Sequence, residues 1–206
     1  PEGFPNPKET NDYIHSKGFK SVYMIDPAPK AEKGYFVDDQ LMENGYYVRT
    51  ANGEPFVGNV WPGACHFPDF TRPEVRTWWS GLYKDFMAQG VDGVWNDMNE
   101  PAIFGGVDFS MPEDNVHLGG DGLAAGPHLR YHNQYGFNMV KASFNGIRNA
   151  NPTLRPFVLS RANCLGGQRY AATWTGDNRS SWAHMTGSIP MSLNMGLSGQ
   201  AMNGPY

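Results

Sequence analysis

The sequence predicts an α/β fold in which a parallel sheet is covered by helices, and three observations support this prediction. Strand-like segments rich in β-branched and aromatic residues alternate with helical segments along the 206 residues. Glycine and proline mark many of the boundaries between these segments. Polar side chains directly follow several predicted strands, and this is where active sites lie in parallel barrels and open α/β sheets.

The first third of the chain predicts one helix and one strand, followed by a long loop. Residues 7–17 have a helical pattern, and Gly18 follows them in the position of a C-cap. Residues 19–26, FKSVYMID, are rich in β-branched and aromatic residues, so we expect a strand that ends before Pro27. Residues 30–72 show no helical periodicity, and a connection of this length is usually functional.

The middle of the chain predicts a second helix and a second strand. Thr71 is the expected N-cap of this helix, Pro73 lies early in it, and Gly90 follows its end. Residues 91–97, VDGVWND, form the next predicted strand. Residues 101–127 are predicted as an irregular loop.

The last third predicts a long helix, two strands, a helix that contains Pro190, and a final strand. These segments are, in order, residues 129–151, 155–162, 170–178, the stretch from about Ser180, and 199–206. The predicted strands number five along the whole chain, which is fewer than the eight of a closed barrel. We therefore expect residues 1–206 to be one partial domain from the middle of a barrel, truncated at both ends.

Composition and charge narrow the classes of partner. The net charge of −4 and the pI near 5.8 argue against nucleic acid or an anionic membrane as the main partner. No apolar run approaches the length of a membrane span. Aromatic residues make up 14% of the chain, and their flat faces are suited to sugar rings. The oligomeric state is left open.

The cysteines and histidines predict no cofactor. Cys65 and Cys164 form neither a disulfide framework nor a zinc pattern, and the sequence does not show whether they pair. His128 and His132 have the spacing of zinc ligands on a helix, but no Glu lies between them in the required pattern and no third ligand is evident. The sequence does not begin with Met, so a signal peptide and the compartment are left open.

Four polar residues lie at the ends of predicted strands and are the candidates for chemistry: Asp26, Asp97, Arg161 and Asp177. Two carboxylates at strand ends of one sheet can face each other across a cleft, as glycoside cleavage requires. Each Asp could instead cap the helix or turn that follows it. Capping is the more common role for an Asp that precedes a helix. Spacing alone leaves both interpretations open.

Longer motifs identify a family. The segments GVDGVWNDMNEPAIF and RPFVLSRANCLGGQRYAATWTGDNRSSW resemble glycoside hydrolase family 31, the retaining α-glucosidase family. The segments FPNPKETNDYIHSKGFKSVYMIDPAPK and GNVWPGACHFPDFTRPEVRTWW also match it, in the same order. The resemblance covers nearly the whole chain. It implies a (β/α)8 TIM barrel, of which this chain would supply about the third to seventh strands.

The resemblance also implies a role for each matching residue. Asp97 in WNDMNE matches the family nucleophile, and Asp177 in WTGDN matches the family acid/base. Asp26 matches an aspartate that binds sugar hydroxyls, and Glu100 is expected to support the site without touching the substrate. Further residues that match the sugar pocket are Trp61, Trp95, Met98, Arg161 and Trp174.

These roles set expectations for charge and geometry. Asp97 must be ionised to attack, and Arg161 nearby would favour the ionised form. Asp177 must begin protonated, so burial or a neighbouring negative charge should raise its pKa. In a retaining enzyme the two carboxyl groups should lie about 5–5.5 Å apart.

The expected reaction is cleavage of terminal α-glucosidic bonds of maltose, malto-oligosaccharides or α-glucans, with retention. The alternatives are an α-glucan lyase or an α-xylosidase of the same family, or a carbohydrate-binding relative without turnover. Ala28-Pro29 and Asn163-Cys164 depart from the pairs that are commoner in the family, and they leave both catalytic aspartates in place.

Overall fold

The computed structural model describes residues 3–206 as five α-helices, nine short strands and two turns of 3-10 helix. In chain order the helices and strands are α1 (Pro7–Ser16), β1 (Val22–Ile25), α2 (Phe36–Glu43), β2 (Val57–Val60), β3 (Gly63–His66), α3 (Pro73–Met87), β4 (Gly93–Asn96), β5 (Val116–His117), β6 (Gly126–Pro127), α4 (His128–Ala150), β7 (Val158–Ser160), β8 (Ala172–Trp174), α5 (Trp182–Leu197) and β9 (Asn203–Gly204).

Five of these strands form one parallel sheet in the order β1-β4-β7-β8-β9. The register runs across the sheet from Met24 to Trp95, from Trp95 to Leu159 and from Leu159 to Ala172, and Thr173 pairs with Asn203. The order of strands in space follows their order in the chain. Because all four pairings are parallel, the carboxyl ends of the five strands lie at one edge. The parallel α/β sheet predicted from the sequence is confirmed.

The helices α3 and α4 pack closely on each other beside this sheet. The Tyr83 hydroxyl donates to Ser143 Oγ at 2.8 Å, and Ser80 Oγ donates to the carbonyl of Ala142 at 2.7 Å. Gly146 allows this approach, because a Cβ at that position would lie 2.7 Å from the carbonyl oxygen of Ser80. Trp79 is buried in the same core, as helix-to-barrel packing predicts.

Two stretches predicted as irregular contain secondary structure. Residues 30–72 include α2 and an antiparallel hairpin of β2 and β3, so the prediction of a loop without a helix is wrong. Helix α2 has eight residues, about two turns, and buries Val37 and Leu41. Such a helix is too short to show a clear periodicity. Residues 101–127 include a 3-10 turn at 107–109 and the antiparallel pair β5–β6.

The predicted N-cap of α3 is also wrong. Arg72 occupies the cap position, and its side chain makes no capping hydrogen bond. The Thr71 hydroxyl instead donates to Asp69 Oδ1 at 2.6 Å and accepts from the Gly119 amide at 3.1 Å. A hydrogen bond from a threonine hydroxyl to a buried carboxylate stabilises the fold more than a capping bond at a solvent-exposed helix end. The tertiary contact therefore overrides the local capping signal of Thr71.

Asp69 is the centre of a buried polar cluster that joins three segments outside the sheet. Its Oδ1 lies 2.9 Å from His117 Nδ1, and His117 Nε2 lies 3.0 Å from His128 Nδ1. All three side chains are fully buried. Burial, with smaller contributions from the neighbouring imidazoles of His117 and His132, lowers the pKa of His128 to about 3. The cluster therefore fixes the 101–127 segment and the start of α4 to the loop before α3.

Apolar side chains and two strand edges lie at the surface of this chain. Helix α5 has no buried residue, and the apolar side chains of Met191 and Met202 are exposed. Strands β1 and β9 form the two edges of the sheet. Over residues 3–206, no helix combines the length and the apolar character needed to cross a membrane.

Candidate active site

The carboxyl edge of the sheet brings together the polar residues that follow the strands. Asp26, Asp97 and Arg161 each come directly after a strand, and Asp177 comes three residues after β8. The backbone ladder continues to these positions, since the Asp97 amide donates to the Ile25 carbonyl at 3.2 Å and the Arg161 amide donates to the Asn96 carbonyl at 3.1 Å. The parallel register therefore places their side chains at one edge.

Arg161 is shared between two carboxylates. Its Nε and Nη2 donate to the two oxygens of Glu100 at 2.8 and 3.0 Å, and its Nη1 lies 3.3 Å from Asp97 Oδ1. A bidentate pair of this kind fixes the plane of the guanidinium group. The arrangement holds one nitrogen of Arg161 against Asp97 and supports the expectation that Glu100 acts through another residue.

Asp97 is buried, and burial raises its pKa above the ordinary value. The amide of Met98, which donates to Asp97 Oδ1 at 2.8 Å, and the charge of Arg161 oppose this rise. The charges of Glu100 and Asp177 add to it. Arg161 thus favours the ionised form of Asp97, as expected, but its effect is smaller than that of burial.

Asp26 is a partly buried carboxyl group with an unpartnered oxygen. Burial and the charge of Asp97 raise its pKa to about 6, while Arg161 acts in the opposite direction. Among residues 3–206, no hydrogen-bond partner contacts its buried Oδ1. This oxygen is available to accept a hydrogen bond from a hydroxyl group of a bound ligand.

Asp177 differs from the expectation in one respect, because its side chain is exposed and not buried. It follows a glycine with φ of 91° and lies on the segment between β8 and α5, where no packed core covers it. Its charge is nevertheless close enough to raise the pKa of Asp97 and to stabilise charged Arg161.

Two of the expected pocket tryptophans, on β4 and β8, contact each other although β7 lies between these two strands in the sheet. The rings of Trp95 and Trp174 are edge-to-face with centroids 4.8 Å apart, and both ring nitrogens are buried without a partner in the described part of the chain. Tyr206 extends the row, since its ring lies 4.9 Å from that of Trp174. Met98 is buried in the hydrophobic core beside Asp97.

Trp61 lies at the turn of the β2–β3 hairpin and belongs to a second aromatic contact. Its ring is edge-to-face with that of Phe104, with centroids 4.9 Å apart. The Phe104 amide donates to the Asn59 carbonyl at 2.8 Å, which fixes the 101–127 segment to the hairpin. Over residues 3–206, the aromatic contacts of Trp61 involve Phe104 and neither of the strand-end tryptophans.

Sequence reasoning missed three residues near this edge. Asn99 is buried, donates to Ser160 Oγ at 2.9 Å and accepts from the Ala162 amide at 3.1 Å, so it ties the ends of β4 and β7 together. Asn99 lies inside the WNDMNE motif, which could have indicated it. Phe104 and Tyr206 carry no such signal, because their roles depend on contacts with distant segments.

Side chains that commonly bind metal ions are not clustered within residues 3–206. No group of three His, Cys, Asp or Glu side chains within 3–206 has the geometry to hold one. Cys65 and Cys164 are free thiols in this structure. The candidate site therefore consists of carboxyl, guanidinium and aromatic groups.

The sequence of the chain matches one known protein family. A model of the glycosyl hydrolases family 31 TIM-barrel domain matches residues 1–205. The chain belongs to glycoside hydrolase family 31. Family 31 membership confirms the barrel fold that the sequence motifs implied, and the five parallel strands are part of that barrel.

Individual family 31 relatives are similar over nearly the whole chain. Alpha-glucosidase 2 of Bacillus thermoamyloliquefaciens is 40% identical over 98% of this chain and 25% of its own length. The solved family 31 alpha-glucosidase of Bacteroides thetaiotaomicron is 55% identical with a TM-score of 0.85, over 100% of this chain and 32% of that one. A structure of the glucosidase II alpha subunit has 37% identity and a TM-score of 0.88, over 97% of this chain and 22% of that one. The chain thus spans about a quarter of the length of the curated relatives that it matches.

Proposed function

We propose that the protein containing this chain is a retaining α-glucosidase, which releases glucose from the ends of maltose, malto-oligosaccharides or α-glucans. The observation that carries this proposal is the position of Asp97, buried at the carboxyl edge, paired with Arg161 and within the field of Asp177. Relatives named as alpha-glucosidases support the substrate class.

The first step of the proposed reaction forms a covalent intermediate. An oxygen of Asp97 attacks the anomeric carbon while the bond to the leaving oxygen breaks, and Asp177 gives its proton to that oxygen. Positive charge develops on the sugar in the transition state, and the Asp97 carboxylate stabilises it. Arg161 and the Met98 amide contribute by favouring the ionised form of Asp97, which burial opposes.

The second step returns both carboxyl groups to their starting states. A water molecule gives its proton to Asp177 and attacks the anomeric carbon, and the bond to Asp97 breaks. Asp177 is exposed, so water reaches it once the leaving group has departed. Two inversions at the anomeric carbon release glucose in the α form.

The remaining residues of the site hold the sugar. The Oδ1 atom of Asp26 has no hydrogen-bond partner within residues 3–206, and a carboxylate oxygen can accept a hydrogen bond from a sugar hydroxyl. Trp95 and Trp174 form an edge-to-face apolar pair, and within residues 3–206 their buried ring nitrogens have no hydrogen-bond partner. We assign these three residues to sugar binding, together with Trp61 on the hairpin and Met98 beside Asp97.

We also propose that residues 1–206 are part of a larger catalytic barrel domain. Residues 3–206 form a parallel sheet of five strands, fewer than the eight of such a barrel, and within this range β1 and β9 each pair with a neighbouring strand on one side. Relatives that match the chain are about three to four times longer. Activity is therefore expected of the full-length protein that contains this chain.

Proton NMR of maltose with the full-length protein tests the function and the nucleophile together. We expect α-glucose as the first product, and we expect Asp97→Asn to reduce kcat on the order of 10⁴-fold, as loss of a group that reacts directly does. Asp12→Asn is the matched control, because Asp12 lies on α1 and forms an ion pair with Lys8 at the surface.

Other outcomes of this experiment would replace the proposal. Initial release of β-glucose, or full activity of the Asp97→Asn variant, would show that the mechanism is wrong. An unsaturated or anhydro sugar would identify a lyase, and release of xylose from an α-xyloside without cleavage of maltose would identify an α-xylosidase. Binding of maltose without any product would identify a carbohydrate-binding relative.

A further inference from the structure

Asn99 is a fully buried asparagine whose side chain bonds to both neighbours of Arg161 in the chain. Its Nδ2 donates to Ser160 Oγ at 2.9 Å, and its Oδ1 accepts from the Ala162 amide at 3.1 Å. Ser160 Oγ in turn donates to the Ala162 carbonyl at 2.7 Å. These bonds fix the backbone on each side of Arg161 to the segment that follows β4. The reaction described above gives Asn99 no role.

Met98, which lies between Asp97 and Asn99, has a left-handed backbone that residues other than glycine rarely adopt, with φ of 52°. In this conformation the Met98 amide donates to Asp97 Oδ1 at 2.8 Å. A strained residue persists where the surrounding structure holds it, and such residues cluster at active sites. The Asp97 amide bonds to the Ile25 carbonyl before Met98, and the Asn99 side chain bonds to the end of β7 after it. Met98 is thus held from both sides.

Helix α4 packs directly against this pair of strand ends. A Cβ at Gly136 would lie 2.6 Å from the Asn99 carbonyl oxygen and 2.8 Å from Ala162 Cβ, so a glycine is needed for the helix to approach this closely. The strands β4 and β7 are the second and third of the five-stranded sheet, and each pairs with a neighbour on both sides. The contacts of Asn99 named here therefore lie inside the sheet and its packed helix, away from both edges.

The two groups held by these contacts are the ones that favour ionised Asp97. Burial raises the pKa of Asp97, and the Met98 amide and the charge of Arg161 oppose this rise. The charged and titratable groups that face Asp97 are Asp26, Glu100, Arg161, Asp177 and Tyr206. Arg161 is the one cation among them. Displacement of Arg161 would therefore leave acidic groups around Asp97 and raise its pKa further.

We infer that Asn99 is a positioning residue for the reaction, whose side-chain amide holds Arg161 and the Met98 amide in place against Asp97. Asn99 is buried and acts through these two groups without touching the substrate. The inference rests on the proposed function and deepens it. It predicts that loss of the Asn99 amide slows the chemical step and moves the acid limb of the pH profile, because both depend on the position and charge of Asp97.

The test measures kcat and the pH dependence of kcat/KM for maltose in the full-length protein. We expect Asn99→Ala to lower kcat about 100-fold, the order expected when a reacting group is misplaced by about 1 Å. The pKa of Asp97 should rise, so its ionised form is lost at a higher pH on acidification, and the acid limb of kcat/KM should move to higher pH. Asn11→Ala is the matched control, because Asn11 is also a fully buried asparagine, which bonds to the Gln89 carbonyl and the Tyr23 hydroxyl. It should lose stability and keep the kcat and the acid limb of the wild type.

A second pair of variants tests the same contacts from helix α4. Gly136→Ala should push on Asn99 and Ala162, lower kcat and move the acid limb in the same direction. Gly146→Ala is its control, because a Cβ at Gly146 would lie 2.7 Å from the Ser80 carbonyl oxygen, between α3 and α4. The clash is of similar size in both variants, and this pair decides the question if Asn99→Ala does not fold.

The inference and the proposed function fail in different ways. If the wild type is active and Asn99→Ala keeps the kcat and the acid limb of Asn11→Ala, the inference is wrong and the proposed function stands. The same holds if Gly136→Ala and Gly146→Ala do not differ. A fall in kcat without movement of the acid limb would show that Asn99 does not hold the charged partner of Asp97, and would also overturn the inference. If the wild type cleaves no α-glucoside, the proposed function is wrong, and the role of Asn99 in that reaction is wrong with it.

Discussion

At the residue scale, the charges around Asp97 form a linked set in which Arg161 stands between two carboxylates. Glu100 holds two nitrogens of the guanidinium group, and a third nitrogen faces Asp97. The negative charge of Glu100 raises the pKa of Asp97 and that of Asp26. Glu100 therefore has two effects, since it orients Arg161 and makes both aspartates easier to protonate.

Glu100→Gln separates these two effects in the pH profile. The variant removes a negative charge, so the pKa values of Asp97 and Asp26 should fall, and ionised Asp97 should persist to lower pH. We expect the acid limb of kcat/KM for maltose to move to lower pH in the full-length protein. Glu100→Asp keeps the charge but is too short for the bidentate contact, so it should lower activity without this displacement. Equal acid limbs in the wild type and Glu100→Gln would contradict the electrostatic role of Glu100.

At the element scale, the five strands of the sheet and the helices α1, α3, α4 and α5 were predictable, and the structure inside the long loops was not. A strand such as 91–97 has a local signature, because its β-branched and aromatic residues end at a polar cluster. The position of Asp97 at the carboxyl edge follows from that signature and from the parallel sheet. By contrast, α2 has too few turns to show periodicity, and Thr71 binds Asp69 and not the helix end. Such contacts between distant segments leave no local pattern in the sequence.

The same limit applies to parts of the candidate site. The motifs identified Asp97, Asp177 and Arg161 because these residues lie inside two long family signatures. The exposure of Asp177 and the contacts of Phe104 and Tyr206 depend on where loops from other strands lie. The residues that follow each strand can be predicted from a single sequence. The residues that line the site from distant loops can be identified only in the folded chain.

The buried cluster of Asp69, His117 and His128 makes the loop elements sensitive to acid. His128 has a pKa of about 3 in the folded state and an ordinary value of 6.5, so the unfolded chain binds its proton first as pH falls. The stability that neutral His128 contributes is complete above pH 6.5 and is lost progressively between pH 6.5 and pH 3. The pKa of Asp69 is lowered in the folded state, where its bonds to His117 and Thr71 oppose burial, and its contribution is lost in acid as well.

Denaturant unfolding at pH 7 and at pH 4.5 measures this dependence. We expect the free energy of unfolding to fall between the two pH values, and to fall less in His128→Gln, which has no imidazole to protonate. His184→Gln is the matched control, because His184 is exposed on α5. If the wild type and His128→Gln lose the same stability between pH 7 and pH 4.5, the cluster is not the acid-sensitive element.

At the scale of the whole molecule, the five strands form a sheet with two unpaired sides, and apolar side chains lie outside its core. Val22 and Met24 on β1 are 42% and 51% exposed, and Leu193 and Leu197 on α5 are 65% and 88% exposed. Exposed strand edges and apolar helix faces are surfaces that other parts of a barrel normally cover. This pattern supports the proposal that residues 1–206 belong to a larger barrel.

The proposal predicts how the 206-residue chain behaves when it is produced alone. We expect it to self-associate and to bind a hydrophobic dye such as ANS, because the edges of β1 and β9 and the apolar face of α5 are uncovered. The full-length protein should bind far less dye per molecule, since its remaining strands cover these surfaces. Sedimentation velocity and dye fluorescence at matched concentrations provide the comparison. A monomeric 206-residue chain that unfolds cooperatively and binds no dye would show that these residues form a complete folding unit, and the proposal of a partial barrel domain would then be wrong.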